Sequence, residues 1–146
     1  MEFEELFAAL NNARVKYLLI GGYATILHGV PRSTQDIDIA IYPDPENLGR
    51  CIEALKKLGL GSDTDRVEDI LGQGGITFEN DMTVDVVTDL PKKILFQDLW
   101  KRRMKLRFRG VIISVISRKD QIRVLGILNR PQDKEDLRYL EGRRIS

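Results

Sequence analysis

The segment that decides the fold runs from Tyr17 to Tyr42 and reads YLLIGGYATILHGVPRSTQDIDIAIY. It holds two apolar runs of different character. Val15 to Ile20 is too short and too continuously apolar for a surface helix and ends at Gly21-Gly22, which marks a buried strand. Gln35 to Tyr42 instead sets Ile37, Ile39 and Ile41 against Asp36, Asp38 and Ala40, a period of two that belongs to a strand with one face in a core. Between them Tyr23 to His28 has helical spacing and is stopped by Gly29 and Pro31. Asp36 and Asp38 must then share the face turned away from the core. Carboxylates two apart on a strand are about 7 Å apart at their α-carbons, and converging side chains can share a divalent cation.

Working outward, Glu2 to Ala13 places Phe3, Leu6, Phe7 and Leu10 on one stripe of a helix, with acids in its first turn where the dipole favours them. Beyond Tyr42, Pro43-Asp44-Pro45 makes a turn into a helix from Glu46 to Leu58. The glycine- and acid-rich stretch Gly59 to Gly75 is expected to be a loop with a short helix. Gly75 to Phe78 and Met82 to Val87 form a hairpin around Glu79-Asn80-Asp81, and the second strand carries Asp85 among valines. After Pro91 comes a short helix through Leu99 and Trp100, then a hairpin of Lys105 to Arg109 and Val111 to Ile116 turning at Gly110. Ser117 opens the next helix with Asp120 as its capping partner. A final helix follows Pro131 and runs to Gly142.

A chain of 146 residues with 42% hydrophobic and 31% charged side chains fits one domain, able to bury about two-thirds of its unfolded surface. No run approaches the roughly 18 apolar residues of a membrane span, and the start, MEFEELF, is acidic where a signal peptide is basic. A cytoplasmic protein with no membrane partner is expected. The lone Cys51 excludes an internal disulfide and falls in helical line with Leu48, Ile52, Leu55 and Leu58, as a core residue would. The net charge of +1 hides an asymmetry: residues 1–89 hold 7 basic and 16 acidic side chains, residues 90–146 hold 16 and 6. Either the two halves are laced by surface ion pairs, or an acidic half holds cations while a basic half meets phosphates.

A third carboxylate, Asp85, on a strand near Asp36 and Asp38 would complete an oxygen-rich site suited to magnesium and to phosphoryl chemistry. Gly21-Gly22, at the start of a helix, lets a triphosphate approach backbone N–H groups. Either feature alone is common. Their joint spacing is similar to the signature of the nucleotidyltransferase superfamily related to DNA polymerase beta, in which a glycine pair precedes Asp-x-Asp. It resembles in particular the small bacterial and archaeal branch that includes AbiEii-type toxins and minimal nucleotidyltransferases. The matching residues are Gly21-Gly22, His28-Gly29, and Arg32, Thr34, Asp36 and Asp38, with Arg130, Asp133, Asp136 and Leu137 resembling the branch's ending.

The resemblance implies an α/β fold, the minimal nucleotidyltransferase fold, with a short, mixed, mainly antiparallel sheet flanked by helices. It implies transfer of a nucleotidyl group from an NTP, ATP among them, to a tRNA, protein or small-molecule acceptor. Asp36, Asp38 and Asp85 would be the catalytic and metal-binding acids for Mg²⁺ or Mn²⁺. Gly21, Gly22, Arg32, Thr34 and Arg130 would bind the nucleotide, and an antitoxin-like protein is an expected partner. One departure stands out. The branch carries a lysine about one and a half turns before the C-terminal arginine, where this chain has Val124-Leu125-Gly126; Arg123, Arg130 or Lys134 would have to stand in.

Several residues keep two readings. Asp36 and Asp38 could face water at a strand edge, and Asp85 has Asp81 and Asp89 beside it. Arg32 could bind a phosphate or pair with a nearby carboxylate. His28 is read as a helix-end residue rather than a base, and Tyr23 and Trp100 as packing. The basic run Lys101 to Arg109 is a solvated hairpin or a nucleic-acid surface with Phe108 alone interleaved for stacking.

Overall fold

The structure is a computed structural model that describes residues 1–142. Arg143 and Arg144, counted in the basic half, lie outside the described residues. Six strands and seven helices follow in the order α1 (Phe3–Asn12), β1 (Tyr17–Ile20), α2 (Gly21–Leu27), β2 (Asp36–Ile41), α3 (Pro45–Lys57), α4 (Val67–Gln73), β3 (Gly75–Glu79), β4 (Thr83–Val87), α5 (Phe96–Lys101), β5 (Met104–Phe108), β6 (Val111–Val115), α6 (Arg118–Leu128) and α7 (Pro131–Gly142). The strands make one open sheet in the order β3-β4-β2-β1-β6-β5. Pairs β1/β2, β3/β4 and β5/β6 are antiparallel, while β2/β4 and β1/β6 are parallel, so the mixed, mainly antiparallel sheet is as expected.

Burial follows the periodicities. Ile37, Ile39 and Ile41 of β2 and Val84 and Val86 of β4 enter the core, together with Leu6, Phe7 and Leu10 of α1. Leu48, Cys51, Ile52 and Leu55 of α3 join them, and burial pushes the Cys51 thiol up to about 12, as suits an inert core residue. A smaller cluster of Val30, Leu125 and Leu140, flanked by Ile122 and Leu137, fastens α7 across α6. No helix among the described residues is long and apolar enough to cross a membrane.

Three local details refine the sequence reading. Helix α2 begins at Gly21, two residues before Tyr23, so the glycine pair is its first turn. The stretch Gly59 to Gly75 contains the expected short helix, α4, and adds a bridge from Gly61 to Glu79 on the outer edge of β3. Ser117 does cap α6, accepting the Asp120 N–H at 3.1 Å, but the Asp120 carboxylate does not reach back. It accepts Arg102 Nε and Nη2 at 2.9 and 3.1 Å instead, because a carboxylate 4% exposed needs a cationic partner.

Candidate active site

The register of the central strands gathers the acids. Ile20 pairs with Asp38 across β1/β2, Asp38 with Asp85 across β2/β4, and Asp85 with Thr77 across β4/β3. Side chains alternate along a strand, so Asp36, Asp38 and Asp85 share the face opposite the buried isoleucines and valines. Thr77 Oγ1 donates a short hydrogen bond to Asp85 Oδ1. Burial pushes the Asp38 carboxyl up to about 7, helped by a hydrogen bond with Asp85 and by the negative charges of Asp85 and Asp36; the Arg130 guanidinium opposes the shift. None of the ion pairs within 4 Å among the described residues includes Asp36, Asp38 or Asp85.

The glycine pair is fitted against this acid face. Gly21 has φ +70°, and a β-carbon there would stand 2.2 Å from Asp38 Oδ2. A β-carbon on Gly22 would stand 2.9 Å from Thr34 Oγ1. The backbone therefore approaches Asp38 and Thr34 as closely as only glycine allows. The Gly21 carbonyl accepts Thr25 Oγ1 at 3.2 Å and Gln121 Nε2 at 3.1 Å.

These elements border a cleft of about 670 Å³. Gly21, Gly22, Thr34, Asp36 and Asp38 form one side, Val87 to Pro91 minus Thr88 another, and α6 and α7 the third. Every nominated residue lines it except Asp85, which adjoins Asp38 across the strand pair. A second cavity, about 420 Å³ between α1 and α3, holds none of them.

Both nominated arginines are ion-paired. Arg32 Nη1 donates to Asp136 Oδ2 at 3.0 Å, which realises the carboxylate-pairing alternative, and Gln132 donates to the other oxygen at 3.0 Å. Arg130 holds Asp133 through Nε at 2.7 Å and Nη2 at 3.2 Å, and its backbone N–H adds a third bond at 3.0 Å. Of the three candidates to replace the missing lysine, only Arg130 reaches the cleft; Val124 and Leu125 leave that wall apolar. Gln121, which lines the cleft and grips Gly21, has no signature in the sequence: it is one polar position on a helix, and only the packing of α6 against α2 gives it meaning.

His28 caps the end of α2, and its Nε2 lies 2.8 Å from the Ile116 carbonyl. A carbonyl can only accept, so Nε2 carries a proton, and burial lowers the ring's pKa. Tyr23 packs on Phe3 at 5.0 Å between ring centroids, and Arg103 covers Trp100 at 3.7 Å. Phe108 meets Phe3 edge-on at 5.7 Å and is spent on packing, not offered for base stacking.

No protein-family model matches the sequence, and no curated protein does. Solved structures do. The chain is similar to the lincosamide antibiotic adenylyltransferase LnuA, lincomycin-bound, at TM-score 0.65 and 19% identity over 97% of each chain. The chain has the nucleotidyltransferase fold. It is also similar to ANT(2")-Ia in complex with adenylyl-2"-tobramycin, at TM-score 0.64 and 16% identity over 93% of this chain and 83% of that one. An antigenic nucleotidyltransferase-like protein from Paracoccidioides brasiliensis follows at TM-score 0.58 and 20% identity, over 94% and 72%. In this nucleotidyltransferase fold the acid face of β2 and β4, the glycine turn and the α6–α7 wall all border one cleft.

Proposed function

We propose that the protein is a cytoplasmic nucleotidyltransferase that moves a nucleotidyl group from an NTP to an acceptor hydroxyl or phosphate. The observation that carries this reading is the acid set: three carboxylates on one sheet face, next to a cleft, with no cation among the described residues within ion-pair distance of them. The donor set fits Mg²⁺ or Mn²⁺, hard ions that take oxygen ligands. Among the described residues no three ligating side chains form a ready cage. Magnesium does not require one, since it is usually held by one or two carboxylates with water and phosphate oxygens. Asp36 and Asp38 would hold the ion and Asp85 would complete the set. When bound, the ion supplies charge stabilisation for the reacting phosphate.

The residues of the chain do the rest. The Gly21-Gly22 backbone and Thr34 meet the triphosphate at close range. Arg32 spends Nη1 on Asp136 and Nε on the Ser33 carbonyl, Arg130 spends Nε and Nη2 on Asp133, and the N–H groups left over on each five-donor guanidinium serve phosphate oxygens. The acceptor oxygen forms a bond to the α-phosphorus as the bond to pyrophosphate breaks, and Asp85 takes the acceptor's proton. Two of the similar structures hold lincomycin and adenylyl-2"-tobramycin, and a cleft of about 670 Å³ has the size of a small-molecule site, so small molecules come first among acceptors, before tRNA and protein.

The test is incubation with each labelled NTP, Mg²⁺ and a panel of small-molecule, tRNA and protein acceptors. Label should transfer with the wild type and fall by at least about 10²-fold with Asp38→Asn. Transfer untouched by that substitution sinks the metal role. One observation favours a second reading, a weak or inactive nucleotide-binding component of an AbiEii-like toxin–antitoxin pair: the apolar Val124-Leu125 wall where the branch has lysine. Thermal stabilisation by Mg²⁺-NTP, with no transfer to any acceptor, would select it.

A further inference from the structure

The chemistry above draws nothing from α6 except an apolar wall, yet that helix buries one polar side chain at the cleft. Gln121 is 1% exposed and lines the cleft. Its Nε2 donates to the Gly21 carbonyl at 3.1 Å and to Thr25 Oγ1 at 3.0 Å, and the same hydroxyl donates to the same carbonyl at 3.2 Å. Its Oε1 is buried without a partner. An apolar side chain of that size would fill the space with no unmet acceptor, so packing alone does not account for an amide here.

Topology explains why this residue can reach. Strands β1 and β6 run parallel, with Leu19 opposite Val115, so α2 and α6 leave the same end of the sheet side by side. Gln121 sits one turn into α6, where its own N–H bonds the Ser117 carbonyl at 2.8 Å and the neighbouring Asp120 is clamped by Arg102. The donor is therefore held on a fixed first turn. What it grips is the residue at φ +70° whose absent β-carbon would stand 2.2 Å from Asp38 Oδ2. A displaced Gly21 would move into, or away from, the carboxylate beside it.

We infer that Gln121 is a positioning residue for nucleotidyl transfer: its two hydrogen bonds fix the Gly21 backbone against the Asp38 carboxylate and so set the alignment of the glycine turn with the acid face. The inference rests on the nucleotidyltransferase reading. Gln121→Met keeps the volume and removes both bonds; Thr25→Val removes the shared hydroxyl, and Thr25→Ser restores it. The readout is the affinity for each of the four NTPs with Mg²⁺, by titration calorimetry well below the unfolding temperature, alongside the melting temperature of the ligand-free protein. Gln121→Met should weaken Mg²⁺-NTP binding by roughly 10- to 100-fold, the usual cost of losing a residue that orients metal ligands. Thr25→Val should weaken it less, Thr25→Ser should bind as the wild type does, and Gln121→Met with Thr25→Val should lose less than the product of the two.

A purely structural role would lower the melting temperature and leave the affinity of the folded protein alone, and that result overturns the inference. If Gln121→Met does not fold, the Thr25 pair decides: equal affinity in Thr25→Val and Thr25→Ser overturns it. A wild type that binds no NTP with Mg²⁺ overturns the nucleotidyltransferase reading and the role of Gln121 with it. Wild-type binding matched by every variant overturns the role of Gln121 alone.

Discussion

Asp133 and Asp136 on α7 are 3% and 2% exposed, and each is ion-paired to an arginine; Asp36, Asp38 and Asp85 on β2 and β4 are more open, yet have no cation within ion-pair distance among the described residues. All five stand in or beside one cleft. The buried pair obeys the rule that a carboxylate leaves water only with a compensating cation. The strand set breaks it: Asp38 is half-buried against two like charges, and its carboxyl is pushed up to about 7. A fold able to place Arg32 and Arg130 on Asp136 and Asp133 could have placed a cation on Asp38. The proposed metal role rests on this set being left without a close cation among the described residues. The paired acids tie α7 to the rest of the fold, and the strand acids are the ones to which the proposed reading gives the chemistry.

Removing one acid from each set breaks this contrast most directly. Asp136→Asn strips Arg32 of its partner and should destabilise the fold by about 2 kcal/mol, below the roughly 3–5 kcal/mol of a fully buried broken pair because Arg32 keeps some contact with water. Asp38→Asn relieves repulsion and should leave the metal-free protein as stable at neutral pH, or more so, while transfer is lost. Denaturant unfolding of the two variants decides. Equal loss of stability in both would erase the distinction.

The same contrast has a signature in pH. The Asp38 carboxyl sits near 3.8 when unfolded and about 7 when folded, so between these values the folded state binds the extra proton. Its contribution to stability is fully present below about pH 4 and is lost as pH rises to about 7. His28 works in the opposite sense: its folded pKa is lowered, so its contribution is lost as pH falls below its ordinary value. The quantity to read is the melting temperature of wild type minus that of Asp38→Asn, in which His28 cancels. This difference should decline from pH 4 to 7 without metal, and Mg²⁺ should raise the wild type alone at pH above 7. A flat difference would mean that neither burial nor the neighbouring acids raise the Asp38 carboxyl.

Much of the site was legible because it is local. The period of two in Asp36-Ile37-Asp38-Ile39 dictates one face for the acids, and the glycine pair precedes them within one βαβ stretch. Asp85 was legible as an acid flanked by valines on a later strand, though its register opposite Asp38 is a product of sheet order. What could not be read is pairing at long range. Arg32 meets Asp136 across 104 residues and Gln121 meets Gly21 across 100, and helical spacing in α6 or α7 says nothing about which partner will come. Phe108, alone among basic residues in the sequence, is occupied by Phe3 of α1. The start of α2 was read two residues late because glycine is a poor helix former; in the fold, the crowding of Asp38 and Thr34 overrides propensity.

The smallest expected effect separates the two glycines. At Gly21 an added methyl meets Asp38 Oδ2 at 2.2 Å on a backbone with positive φ, so Gly21→Ala is strained twice and disturbs an acid of the unpaired set. Gly22 has neither problem in full. Its added methyl meets Thr34 Oγ1 at 2.9 Å and Thr34 Cβ at 3.0 Å, with φ in the ordinary range, and alanine regains roughly 1 kcal/mol of helix propensity over glycine. Gly22→Ala should therefore change stability by less than about 1 kcal/mol, and Thr34→Gly, which clears the hydroxyl, the methyl and the β-carbon in its way, should make it net stabilising. Thermal unfolding of the four-variant cycle measures this. A Gly22→Ala penalty that survives Thr34→Gly would mean that the turn itself, and not its contact with Thr34, demands glycine at both positions.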